Sequence, residues 1–213
     1  MVEGDRGTDP CPSRAGSLPL IAGVPALDFA NTASGRGGPR HREHLCEPAH
    51  VIAWAAHAGV LDDDAAAACR ALLEGGEPEM RALLRQALSL REAVHRSAAA
   101  VAALDRPDRS DLDTIADIHA ATLRTARLDM NGQAFWRWAQ PSSAAVLGPI
   151  AFSAVELLMQ GDRTRIKQCP GDDCGWVFLD TSKNRSRRWC EMQVCGNRAK
   201  ARRHYERRVG AGS

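Results

Sequence analysis

The chain has 213 residues, with 28 Lys+Arg against 26 Asp+Glu for a formal charge of +2, and seven cysteines; that length holds one medium domain plus a small module. The acidic residues Glu3, Asp5 and Asp9 and the lack of an early apolar segment argue against a secretory signal, and the most apolar run, residues 144–159, is broken by Gly148-Pro149 and Glu156. It falls short of the roughly 20 residues a bilayer span needs, so no membrane partner is expected.

The near-neutral total conceals an asymmetry. Residues 1–162 carry 15 Arg, no Lys and 21 Asp+Glu, for −6, whereas residues 163–213 carry 13 Lys+Arg and 5 Asp+Glu, for +8. Such a basic tip is drawn to a polyanion, or else docks on its own acidic body. Cys11, Cys46 and Cys69 are scattered singly, which points to a reducing compartment and a cytoplasmic location.

Residues 1–17, rich in Gly, Pro, Ser and charge, read as a disordered tail. Residues 18–162 read as a helical domain. Pro48 opens a helix with Val51, Ile52, Ala55 and Ala58 on one face, closed by Gly59. Asp62 caps a second that stops at Gly75-Gly76, and Glu77-Pro78 starts a long third running to about residue 104. Ser110 or Asp111 caps the next. Asn131-Gly132 is a type I′ hairpin signal between residues 127–130 and 133–138, and a last helix covers 142–159 with Pro149 inside it. Trp136 and Trp138 share one strand face and are expected to pack on the helices.

Nothing in this body has the pattern of an enzyme: there is no nucleophile elbow, phosphate loop or matched carboxylate pair. His41, His44 and Cys46 lie close enough in sequence to suggest a second metal site but lack a fourth ligand. In Leu27-Asp28-Phe29-Ala30-Asn31-Thr32, the side chains of Asp28, Asn31, Thr32 and the later Arg36 could line a polar pocket beside Trp54. The plainer reading is that Asn31 and Thr32 cap the turn after a short strand.

The sharpest signal is Cys169, Cys174, Cys190 and Cys195, spaced Cys-x4-Cys-x15-Cys-x4-Cys. Two thiolate pairs separated by a hairpin-length insert suit one tetrahedral, structural zinc ion; two disulfides or four unrelated buried thiols are the other readings. The insert reads as strands 176–180 and 187–190 joined by a polar turn. After Cys195-Gly196, Asn197 is placed to cap a helix over 198–209. Its Ala201, Tyr205 and Val209 are expected to pack on the zinc core, and Lys200, Arg203, His204 and Arg207 form a cationic stripe opposite them. Arg185, Arg187 and Arg188 add a second basic edge, while Arg198 is expected to bond back to the module or to Asp180.

Cys195-Gly196-Asn197-Arg198, with Cys174-Gly175-Trp176, Phe178-Leu179-Asp180, Asn184 to Cys190 and Lys200-Ala201-Arg202-Arg203, resembles the CGNR zinc fingers. Leu27 to Thr32, Arg36 and Ile52-Ala53-Trp54 resemble the start of the ABATE domain that precedes this finger. The resemblance covers roughly residues 18–208. It implies a zinc-dependent, nucleic-acid-binding transcriptional regulator and makes the Asp28–Asn31 region a candidate ligand site.

The expected architecture is therefore mainly α. A helical domain with a minor β-hairpin over 18–162 precedes a four-cysteine finger, hairpin then helix, over 163–209, and 210–213 form a tail. The expected activity is non-enzymatic binding of duplex DNA, with a small-molecule effector and a homodimer as further expectations. The alternative is an adaptor that binds a protein, or an RNA-binding protein.

Overall fold

Helix starts in this chain are written by local chemistry. The computed structural model describes residues 11–36 and 38–210, the last two by backbone only. The Asp62 carboxylate accepts from Ala65 N and starts α3 (Asp63–Glu74), and the Ser142 hydroxyl accepts from Ala145 N and starts α6 (Ser143–Gln160). Each satisfies an amide with no partner inside its own helix. Proline at the first helical position opens α1 (Pro25–Ala30), α2 (Pro48–His57) and α4 (Pro78–Ala102), where its missing N–H costs nothing. α5 (Arg109–Leu123) is capped by Asp108 rather than Ser110 or Asp111, because Asp108 Oδ1 takes both the Ser110 N–H and its hydroxyl.

The segment expected to be a short strand, 27–32, is mostly helix α1. It is too short to show a helical period, and burial of Ala26, Leu27, Phe29 and Ala30 supports it instead. α4 runs through the middle of the core, with Met80, Leu83, Ala87, Leu90, Val94 and Ala98 inward. α6 is long and apolar enough, by length and composition, to cross a membrane. Here Val146, Leu147, Ile150, Ala151 and Ala154 are buried in the protein core.

Two short strands, β1 (Ala33–Ser34) and β2 (Arg42–Glu43), pair antiparallel behind α1. The hairpin β3 (Ala126–Asn131) and β4 (Gln133–Trp138) places Asn131 opposite Gln133. Type I′ needs positive φ at both central residues. Only Gly132 has it (φ +73°), so the chain reverses about that residue instead. Trp138 meets Phe152 edge-on at 6.4 Å, a packing that the bare Gly148 backbone permits, since a methyl there would strike the indole.

Residues 11–17, expected to be disordered, are tied down; residues 1–10 lie outside the described part. The Ser13 hydroxyl donates to His44 O at 2.7 Å, residues 15–17 form a 3-10 turn and Ala15 is buried. Cys11 and Cys46 form a disulfide with Cα atoms 6.3 Å apart, which removes the argument drawn from singly scattered thiols.

The C-terminal module consists of β5 (Ile166–Gln168) antiparallel to β6 (Val177–Leu179), then a π-helical turn at Met192–Gly196 and α7 (Asn197–Gly210). The hairpin forms between 166–168 and 177–179, not between 176–180 and 187–190. Residues 187–190 stay irregular because the Arg187 side chain occupies the carbonyls around it. Ile166, Val177 and Phe178 belong to the same buried cluster as α1, α2, α4 and α6. The module therefore rests on the helical body and shares its core.

Candidate metal centre

Cys169 leaves β5, and its N–H donates to Trp176 O at 2.8 Å across the mouth of the hairpin. A turn closed by Cys174 N to Gly171 O (3.0 Å) returns Cys174 toward it. Cys190 arrives from the irregular segment and Cys195 from the π-turn, whose amides at 195 and 196 both donate to Glu191 O. The four sulfurs lie within 4.8 Å of one another, with Cys174–Cys190 and Cys190–Cys195 each at 3.5 Å, and all four cysteines are free thiols. A tetrahedron with metal–sulfur bonds of about 2.3 Å has edges of about 3.8 Å. The cage has the right size.

Its chemistry fits as well. Cys174 and Cys190, joined by the backbone N–H groups of Cys190 and Gly171, stabilise the Cys169 thiolate and hold its pKa far down. The hydrogen bond to Cys169, with burial and that neighbouring charge, pushes Cys174 up to about 12; Cys190 is raised by the same neighbours and Cys195 first by burial. Four sulfurs this close cannot all ionise without a cation between them. A divalent ion resolves that conflict, and four thiolates leave no open position for water, so the ion is structural zinc. Gly171 completes the cage: a Cβ there would sit 3.2 Å from Cys174 Cβ and within 3.6 Å of two sulfurs.

The expected ligand pocket is not assembled as such. Each of its members is committed to a joint. Asp28 accepts from Ala22 N at 2.8 Å; burial raises its pKa. The Thr32 hydroxyl donates to Phe29 O, and Trp54 packs on Phe29 at 4.8 Å. Arg36 forms a fork with Glu92 (2.8 and 3.1 Å) and also donates to Ala30 O. Burial opposes the Glu92 charge, but Arg36 and Arg91 outweigh it and bring its pKa down to about 2.

Asn31 has a role the sequence did not disclose. Its Nδ2 donates to Val177 O at 2.9 Å, and its Oδ1 accepts from Val177 N at 3.0 Å. The side-chain amide pairs with the edge of β6 as another strand would. Beside it Leu179 N donates to Ala22 O (2.8 Å), and His95 Nε2 donates to Gly175 O (2.8 Å). The seam is thus made of peptide pairing and apolar burial. Ion pairs cross it in both directions: Arg40–Asp173 at 3.1 Å takes the cation from the body, and Arg185–Asp162 at 3.0 Å takes it from the finger.

The basic residues divide. Lys200, Arg203, His204 and Arg207 are all exposed on α7. Arg187 is consumed: its guanidinium lies 4.4 Å from the Phe178 ring centroid and donates to the carbonyls of Ile21, Trp189 and Cys190. Arg185 bonds Thr164 and pairs with Asp162 at 3.0 Å, while Arg188 lies 5.3 Å from the Trp189 ring centroid. Buried Asp180 is served by Lys167, Ser182 and the Arg187 amide, not by Arg198; these outweigh burial and hold its carboxyl well below the usual range. Ala201 and Tyr205, expected to pack inward, face solvent, Tyr205 at 68 % exposure. Ala199 is buried instead and Arg202, one turn on, pairs with Asp172, so among the described side chains α7 is anchored near its start; the side chain of Val209 lies outside the described residues. The second-metal set separates: His41 is exposed, His44 is buried against Ser34 and Arg14, and Cys46 is in the disulfide.

Residues 165–208 match the family model of the CGNR zinc finger. Residues 23–161, well over half of the chain, match that of ABATE, described as a putative stress-induced transcription regulator. No curated protein matches the chain.

Proposed function

The chain belongs to the ABATE family and carries a CGNR zinc finger behind that domain, and from this premise we propose that it is a zinc-dependent regulator that binds duplex DNA through α7. The observation that carries this reading is the state of α7. It is a helix of 14 residues whose described side chains beyond Ala199 are all exposed. At about 1.5 Å per residue it extends about 20 Å. Lys200, Arg203, His204 and Arg207 recur along it at i, i+3, i+4 and i+7, a spacing that serves phosphate contact or entry into a major groove.

The zinc centre would act as the clamp at the root of this helix. Cys195 is two residues from Asn197 and held in the cage, so the cage, with the Arg202–Asp172 pair, would set the direction of α7 rather than apolar packing along its length. Arg188 is the member of the second basic edge with an exposed side chain and no ion pair among the described residues. It would add a flanking phosphate contact.

The test is fluorescence anisotropy of the zinc-loaded protein with duplex DNA, single-stranded DNA and RNA across a salt series. Duplex binding should weaken with a log–log slope of about −0.9 per phosphate neutralised, and replacing Lys200, Arg203 and Arg207 by Gln should make the slope shallower by nearly three such steps. Failure of every polymer to bind at low salt would overturn the reading in favour of a protein-binding adaptor. A preference for RNA would reassign the polymer.

A further inference from the structure

A cavity of about 380 Å³, with the cage residues Cys174, Cys190 and Cys195 in its lining, opens where the helical body meets the zinc centre. One wall comes from the body and includes Arg14, Ser34, Arg42 and His44; the other comes from the finger and ends at Arg198, in the first turn of α7. We propose that this cleft binds a small organic dianion, a phosphate monoester or dicarboxylate, that carries a flat apolar portion.

Charge is the first argument. Arg14, Arg42 and Arg198 converge on one concavity, and none has an ion-pair partner among the described residues. Arg40, also in the lining, is occupied by Asp173, and the other three guanidinium groups share the cleft with Glu191 and with Cys174, Cys190 and Cys195 of the zinc cage. A guanidinium group with no direct ion pair is free to fork onto phosphate or carboxylate oxygens two at a time.

A buried donor relay is the second. His44 is 2 % exposed, and its Nδ1 accepts from Arg14 N at 3.3 Å, so Nε2 carries the ring proton and donates to Ser34 Oγ at 3.1 Å. With its oxygen thus engaged, the Ser34 hydroxyl has its own proton to offer to the cavity it lines. Burial, then the charges of Arg14 and Arg42, lowers the His44 pKa and keeps the ring in this neutral form.

The apolar side supplies the third. Leu18, Trp176 and Val194 line the same space. The cavity is in the size range of small-molecule sites, which combine such a wall with a few convergent polar groups. A DNA strand is a poorer occupant. At about 100° per residue, Arg198 lies about 140° to 200° around α7 from Lys200, Arg203 and Arg207, so the cleft and the cationic stripe face different ways.

Calorimetric titration of the full-length, zinc-loaded chain with adenosine monophosphate and with phthalate tests the site, beside adenosine and inorganic phosphate. At least one of the two dianions should bind about tenfold or more tightly than either control. The Arg14→Gln/Arg42→Gln variant should lose about tenfold or more of that affinity, with unchanged zinc content and far-UV dichroism, and Arg198→Gln should weaken it too. Whichever dianion binds identifies the phosphate or the carboxylate source. Replacing Lys200, Arg203 and Arg207 by Gln should leave the titration unchanged. The site is refuted if neither dianion binds at about 5 mM, if inorganic phosphate binds as tightly, or if the double variant binds as well as the parent. Because no nucleic acid is present, this outcome is independent of whether α7 contacts DNA.

Discussion

Asn31→Ala removes one side-chain amide and leaves two peptide groups of β6 without partners. Val177 is fully buried, so its N–H and C=O lose the bonds of 3.0 and 2.9 Å with no water to replace them. A buried polar group stripped of its partner costs about 1–3 kcal/mol, and here two lie on one residue; about 3 kcal/mol is expected for the pair once local relaxation is allowed. For a chain of this size that is about 6–12 °C in Tm. Thermal unfolding of the zinc-loaded variant, with zinc content measured alongside, gives the magnitude, and hydrogen exchange at the Val177 amide gives the place. A Tm within about 2 °C of the parent, with the Val177 amide as slow as before, would refute the view that this side chain fastens the finger to the body.

The metal, a histidine at the seam and the disulfide provide further tests. Cys190→Ser should release zinc and lower the Tm of the whole chain, because Val177 and Phe178 belong to the body's core; a body that melts unchanged would separate the two cores. His95, buried and donating to Gly175 O, is neutral: burial, then the Arg36 charge, brings its pKa down to about 4. A folded-state pKa below the unfolded value near 6.5 means that its contribution is complete above about pH 6.5 and is lost as the pH falls toward 4. His95→Gln keeps an N–H at that position without titrating, so the parent should lose stability relative to it over this interval; a difference independent of pH would exclude the effect. Thiol titration of the unfolded, zinc-stripped, unreduced chain should give the five free cysteines, and seven would show that Cys11 and Cys46 are not joined.

The helices were legible where a cap or a proline wrote their start: Pro48, Asp62, Pro78 and Ser142 stand where the sequence places them. α1 was not, since six residues show no period and its support is tertiary burial. The finger's hairpin was mispaired for a similar reason. Residues 187–190 have the composition of a strand, but Arg187 holds them irregular by bonding carbonyls on both sides of the seam.

The four zinc ligands and the cationic stripe on α7 were determined by sequence alone, because ligand spacing and helical periodicity are local properties of the chain. Which basic residues remain free was not. Arg187 and Arg185 look like Arg207 in a sequence, and only the folded surroundings distinguish a guanidinium that is held by carbonyls or a carboxylate from one exposed on the helix. Nor could the sequence say that Asn31 would meet Val177 across 146 residues, or that Arg14, Arg42 and Arg198 would share one cleft. Those juxtapositions follow from how a single core packs two modules together, and packing depends on the whole chain at once.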